Sequence, residues 1–172
     1  YSGDVKQSTE NYFKALEIMS GVEDHELLAK IYNNIGWNLR EQEDLEPAID
    51  YFKKAEEHAK KINNKPFLAR ILNNLGVTYK NKGEYLNALK MYDEALKINE
   101  ELKNVEGQIF NLNNMGLLQS HLKDYDKSIS YFEQVRPLLV HSTDTVTLAN
   151  YLLNYSNTLL KLNFVRQALD SA

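Results

Sequence analysis

The sequence has no cysteine, one tryptophan, and only three prolines and seven glycines among its 172 residues. Without cysteine there is no disulfide framework, no thiolate metal site and no cysteine nucleophile, although this absence does not fix the compartment. No apolar run approaches the roughly twenty residues that a membrane helix requires, and the N-terminal stretch lacks the basic, apolar and small-residue blocks of a signal peptide. A net charge of −4 sets the surface against a phosphate backbone, so nucleic acid is not an expected partner. With 43% hydrophobic and 26% charged residues, the composition is that of a folded globular chain rather than a disordered one.

Catalytic and metal-binding patterns are missing too. "HELLA" at 25–29 begins like a zinc-protease helix, but Ala29 stands where the second histidine would be. His25, His58, His121 and His141 fall in different parts of the chain, and their spacing brings no two together as ligands. "DYDKS" at 124–128 lacks the glycine and distal glutamate of a calcium loop and reads as Asp124 capping a helix. No phosphate loop, nucleophile elbow or Ser-His-Asp grouping is present, so the expectation is a non-enzyme without cofactor or metal. Runs such as "KKAEEHAKK" read as a solvated outer helix face.

What is present is a repeat. Asn33-Asn34-Ile35-Gly36, Asn73-Asn74-Leu75-Gly76 and Asn113-Asn114-Met115-Gly116 recur every forty residues. The register extends to Ala48, Ala88, Ser128 and Ala168, to Phe52, Tyr92 and Phe132, and to Ala55, Ala95 and Val135. Run backwards, it sets Gly3-Asp4 on Gly83-Glu84, Ser8 on Ala88, Tyr12 on Tyr92 and Ala15 on Ala95, so the chain opens half-way through a repeat. Apolar residues at helical spacing predict two helices per repeat. First (A) helices are expected over 25–41, 66–81, 105–121 and 144–161; second (B) helices over 4–19, 45–61, 84–101, 124–139 and from 164 onward. The fold class is all-α, a single array of about nine helices. A half repeat (3–23) is followed by repeats over 24–63, 64–103, 104–143 and a truncated 144–172. Gly83 suits the left-handed end of a helix and Pro66 a first turn, while Pro137 should kink or end the B helix it falls in. Small residues at Gly36, Gly76, Gly116 and Ser156 are expected to face Ala48, Ala88, Ser128 and Ala168, with Phe52, Tyr92 and Phe132 filling the gap to the next repeat.

These small, aromatic and alanine positions resemble the tetratricopeptide repeat across essentially the whole chain. The long form with Asn-Asn-apolar-Gly is similar to arrays in kinesin light chains, polarity adaptors and bacterial sensor kinases. The resemblance implies a right-handed superhelix whose A helices line a concave groove. Departures are the longer period, the absence of the family's proline at Lys60, Glu100 and Val140, Gln119 where a tyrosine is usual, and Val135 in place of alanine. Repeats three and four should therefore pack less regularly than one and two. The family's carboxylate clamp is not reproduced, since Asn33 and Trp37 stand where clamp residues would be expected.

The candidate site lies on the A helices. Each asparagine pair precedes a buried apolar residue and so should point toward the side those helices leave open. Asn34, Asn74, Asn114 and Asn154 form one row with Asn33, Asn73 and Asn113 beside it, and Leu153 breaks the second row. A carboxamide offers both a donor and an acceptor, which suits the reading of a peptide main chain; the same amides could equally bond neighbouring helices. One turn away stand Trp37, Val77, Leu117 and Asn157 on one side and Lys30, Arg70, Phe110 and Asn150 on the other, with Arg40 and Lys80 further on. Trp37 could also be half-buried at the open N-terminal edge. The expected partner is a protein or peptide, acidic and with apolar anchors, bound along the groove. Alternatives are a sensory or regulatory region of a larger signalling protein, as the sensor-kinase resemblance implies, and a self-assembly scaffold. In the last case a homodimer would form through a terminal edge carrying Tyr12, Ala15, Leu16 and Ile18. A cytoplasmic setting is favoured, or a periplasmic one if the array belongs to a sensor kinase.

Overall fold

The computed structural model describes residues 2–19, 21–141 and 145–170. Its helices are α1 (Ser2–Ile18), α2 (His25–Glu41), α3 (Leu45–Lys61), α4 (Lys65–Asn81), α5 (Tyr85–Glu101), α6 (Val105–His121), α7 (Tyr125–Val135) and α8 (Thr145–Asp170), with a 3-10 turn over Leu138–His141. There is no strand among the described residues. The chain divides into two compact units, Tyr1–Ala95 and Leu96–Ala172. In the first, α2 packs on α1 and α3, α3 on α4, and α2 also touches α4. In the second, α6 packs against both α7 and α8, and α7 against α8.

The five helices α2 to α6 are each 17 residues long. The connections between them, and that from α6 to α7, share one construction. The middle residue is left-handed: Glu43 (φ 65°), Asn63 (51°), Gly83 (83°), Lys103 (54°) and Lys123 (64°). The next residue, Asp44, Asn64, Glu84, Asn104 or Asp124, donates its N–H back to Leu39, Ala59, Tyr79, Asn99 or Gln119, at 2.8–3.2 Å. The left-handed residue itself donates to a carbonyl three positions earlier. These two bonds satisfy the last carbonyls of the outgoing helix, and so reverse the chain within three residues. The residue that closes one helix often opens the next: Asn64, Asn104 and Asp124 each accept from the N–H three positions on. Only Gly83 carries a sequence mark for this; the other left-handed positions hold residues with side chains.

Inside each unit the repeat glycines lie against aromatic rings. A Cβ on Gly36 would come within 2.9 Å of the Phe52 ring, on Gly76 within 2.5 Å of Tyr92, and on Gly116 within 2.9 Å of Phe132. Phe52, Tyr92 and Phe132 are completely buried. The atoms nearest each glycine are those of the ring on the following helix, so the rings expected to fill the gap to the next repeat lie directly on the glycines. Ala48 and Ala88 remain buried as expected, and the Ser128 hydroxyl donates to the Gly116 carbonyl at 2.7 Å.

The second unit departs from the repeat in one buried spot. Register positions held by Ala59, Phe67 and Ile71 in the first unit are held by Asn99, Gly107 and Asn111. The Asn99 amide donates to Asn111 Oδ1 (2.8 Å) and accepts from Asn104 (2.8 Å), while Gln108 donates to the Asn99 carbonyl (3.3 Å). A Cβ on Gly107 would sit 2.5 Å from that amide, so the three exchanges compensate one another: the ring lost at 107 makes the room that the larger residue at 99 fills.

The C-terminal end differs from expectation. α7 stops at Val135, before Pro137, whose ring and missing N–H prevent continuation. Instead of two helices over 144–161 and from 164, α8 is one continuous helix of 26 residues. Phe164, at the register position of Asp44, Glu84 and Asp124, lies within this helix, whereas its polar counterparts each stand in a turn between two helices. Ser156 is exposed rather than packed, and α8 meets α7 through Tyr151, Tyr155 and Thr158. Phe132 lies 6.1 Å from Tyr151 and 5.7 Å from Tyr155, and Ser128 Oγ lies 3.4 Å from Thr158 Oγ1. The register positions Gly3-Asp4 and Ala168 lie outside the described side chains, and the expected repeat boundary at 143–144 lies outside the described residues.

Gly76→Ala should lower stability by about 2 kcal/mol, crowding against the Tyr92 ring outweighing the roughly 1 kcal/mol gained in helix propensity. Gly83→Ala, which meets open space but keeps a positive φ, should lower it by only about 1 kcal/mol. Chemical denaturation followed by circular dichroism ranks the two, and equal small losses would show that the ring can move aside.

Candidate functional site

In the first unit the candidate residues come from α2 and α4, which touch. The Asn74 amide donates to Asn33 Oδ1 at 2.9 Å, and Asn33 donates to Asn34 at 3.4 Å. Asn34 in turn donates to the Tyr12 hydroxyl of α1 at 3.1 Å. The amide row is therefore bonded diagonally from one repeat to the next, through residues 41 apart in sequence. Asn33 is buried, whereas Asn34, Asn73 and Asn74 are half-buried. Tyr12, expected as part of an exposed edge, is half-covered here; of its companions Ala15 and Leu16 are also half-buried, and Ile18 is exposed.

Arg40 extends this cluster. Its side chain is 11% exposed, with one guanidinium nitrogen 3.5 Å from Asn74 Oδ1 and the other 3.2 Å from a Glu41 carboxylate oxygen. Lys80, also half-buried, feels the same guanidinium. Burial first and the Arg40 charge second hold its ammonium below the ordinary lysine range. No ion-pair partner stands beside Lys80 among the described residues, and the carboxylate of Glu41 is paired with Arg40 alone. The remaining candidates of this unit stand apart from the cluster. Lys30 is paired with Glu26 on its own helix (2.6 Å), and Arg70 lies over the Phe67 ring (4.6 Å). Trp37 is 43% exposed and Val77 half-buried.

In the second unit α6 and α8 enclose a cavity of about 240 Å³ lined by Ile109, Phe110, Asn113, Asn114, Leu117, Thr147, Asn150 and Asn154. Six residues of the expected face meet there: Phe110, Asn113, Asn114, Leu117, Asn150 and Asn154. Asn154 donates to Asn113 at 3.4 Å, again 41 residues apart, and Asn114, buried, donates to the Phe110 carbonyl one turn back at 2.8 Å. Thr147 is an addition that the sequence pattern did not single out, because the forty-residue register carries no hydroxyl at that position in the earlier repeats.

The histidines require a correction. Sequence spacing separates them, yet the turn between α2 and α3 brings His25, at the first residue of α2, beside His58, in the last turn of α3. Their Nδ1 atoms are 3.1 Å apart. The Tyr32 ring lies 5.5 Å from His58 and 6.0 Å from Tyr51, with the Lys54 ammonium over both tyrosines. Burial, then the neighbouring charges of His25 and Lys61, hold His58 below the ordinary histidine range, and Glu57 opposes them.

The tetratricopeptide repeat family model matches residues 1–61 and 67–139. Aspartyl phosphate phosphatase F from Bacillus subtilis superposes with a TM-score of 0.82 at 18% identity, over 99% of this chain and 46% of that one. The apo form of RapI superposes with a TM-score of 0.79 at 23% identity, over 96% and 48%. The nearly identical TPR-like repeats of a kinesin light chain type from Podosopora anserina give 0.79 at 10% identity, over 98% and 83%. At these identities the likeness is one of fold. The chain spans about half the length of the first two proteins. No curated protein sequence matches this chain. Among the described residues no helix is long and apolar enough to cross a membrane.

Asn74→Ala should destabilise the chain by about 1 kcal/mol, because the half-buried diagonal bond to Asn33 is lost. Asn154→Ala should cost less, its bond being longer; denaturant titration compares them. For His58 the folded group is harder to protonate than the unfolded one, so its contribution is full above about pH 6.5 and is lost as pH falls through that value. Stability should decline more steeply between about pH 7 and pH 5 in the wild type than in His58→Gln, and equal slopes would remove the coupling.

Proposed function

Because the chain belongs to the tetratricopeptide repeat family, we propose that it is a protein-interaction module that takes a peptide segment of a partner on the exposed faces of its A helices. The observation that carries this reading is the Arg40–Lys80 pair. Both cations are half-buried, Glu41 pairs with Arg40 only, and burial and the Arg40 charge hold the Lys80 ammonium below its ordinary range. An incoming carboxylate would relieve both the burial and the like-charge repulsion, so an acidic side chain of the partner is the complement of this face. Asn74, already fixed by Asn33 and Arg40, would direct its remaining amide hydrogen to the partner's main chain. In the second unit the cavity between α6 and α8 offers apolar walls from Ile109, Phe110 and Leu117 with amides of Asn113, Asn150 and Asn154 at its edge. That composition suits one large apolar side chain whose backbone is hydrogen-bonded at the rim.

Selection from a displayed random peptide library, followed by sequencing, tests the proposal. Sequences combining Asp or Glu with Leu, Phe or Trp should be enriched. Arg40→Gln/Lys80→Gln should reduce affinity for the selected peptides by about tenfold or more while leaving the melting temperature close to that of the wild type. Rising salt should weaken wild-type binding more than variant binding. Enrichment of neutral peptides, or equal affinity in the double variant, would remove the acidic-partner reading.

A further inference from the structure

Outside the A-helix faces, the strongest convergence of ligating atoms is at the N-terminus of α2 and the C-terminus of α3. We propose that His25 and His58 form a two-nitrogen chelate for a divalent late-transition ion, copper(II) above zinc(II). The argument is geometric. Two metal–nitrogen bonds of about 2.0–2.1 Å leave their nitrogens about 3.3 Å apart at a tetrahedral angle and about 2.9 Å apart at a right angle. The observed Nδ1 separation of 3.1 Å lies between these values. The ring centroids are only 5.0 Å apart and the planes meet at 59°. Two rings pointing straight at one another across that gap would stand further apart, so at least one leans off the line, as lone pairs must in order to converge on a common ion.

The surroundings fit an exchangeable site. Both rings are half-buried, so an ion can enter from solvent while the ring positions stay fixed by packing. His58 lies against Tyr32, and His25 is the first residue of a helix whose cap, Asp24, is fixed by the Leu27 N–H at 3.0 Å. A metal ligand must be a neutral imidazole; the charged groups near the pair are Lys61 and Glu57, on the helix of His58, with Lys54 further along α3 over Tyr32. Among the described residues no group of three or more histidine, cysteine, aspartate or glutamate side chains could hold an ion, so the remaining coordination positions go to water. With two protein ligands and water completing the shell, the ion is exchangeable rather than structural. Occupied, it replaces the hydrogen bond between the two imidazoles by a stronger tie between the ends of α2 and α3.

Copper(II) chloride titrated into the untagged chain in a non-coordinating buffer at about pH 7.5 tests the site. One ion should bind per chain, with electron paramagnetic resonance hyperfine structure from two imidazole nitrogens and a rise in melting temperature. His25→Gln and His58→Gln, each checked for helicity, should weaken binding by about tenfold or more, since each removes one arm of the chelate. His121→Gln/His141→Gln should bind as the wild type does. Should the first two variants fail to fold, the two-nitrogen signal in the wild type, retained in His121→Gln/His141→Gln, decides. Undiminished binding in either single variant, hyperfine structure from one nitrogen, loss of binding in His121→Gln/His141→Gln, or no binding by the wild type at about 100 μM copper would each overturn the proposal.

Discussion

At Gly36, Gly76 and Gly116 an aromatic ring of the next helix occupies the space that a side chain would otherwise take, and the geometry of each helix pair follows from that contact. A ring against bare backbone lets the two axes approach closely without leaving a void. It also fixes the rotation of each helix about its own axis, because only the glycine can face the ring. Once that rotation is set, the residues immediately before the glycine are set as well. The asparagine pairs therefore fall on equivalent faces of α2, α4 and α6 as a consequence of the packing, whatever use is made of them.

The second constraint is the turn. Three residues, the middle one left-handed, separate each successive pair among the helices α2 to α7, and the same pair of backbone bonds closes each of these reversals. Four of the five left-handed residues are not glycine; Asn63 tolerates that conformation, while Glu43, Lys103 and Lys123 each carry a strain of about 1 kcal/mol. They are held there by the paired backbone bonds that end one helix and, after Asn63, Lys103 and Lys123, by a side-chain acceptor that begins the next. At the C-terminal end Phe164 stands at the turn position, the chain continues as helix through it, and the hairpin expected there does not form.

This explains how much could be read in advance. The period, the helix pairs and the aromatic and alanine positions were legible because burial repeats every forty residues and leaves its mark in residue type. The non-glycine turns left a fainter mark, since Glu43, Lys103 and Lys123 are not residues that advertise a left-handed backbone. The pairing of His25 with His58 was hidden for a related reason. It depends on the first turn of one helix lying beside the last turn of the next, and those two positions are 33 residues apart, a spacing that belongs to no local motif. The compensating exchange at Asn99, Gly107 and Asn111 was also invisible, since each substitution taken singly looks like a departure from the repeat, and only together do they fill one space.

The amides of the second unit also separate two uses of asparagine. Asn99 and Asn111 are sealed in the interior, and their groups are consumed by one another and by Asn104 and Gln108; polarity there specifies how α6 packs and can meet no partner. Asn113 and Asn154 line a cavity, and bond one another at 3.4 Å with their side chains half-exposed. A carboxamide has two donor hydrogens and an acceptor oxygen, so one bond between neighbours leaves capacity over. Inter-repeat bonding and recognition are therefore not rival accounts of these residues. The bond between repeats restrains each amide beforehand, which would lower the entropy lost if a peptide main chain were bound as proposed.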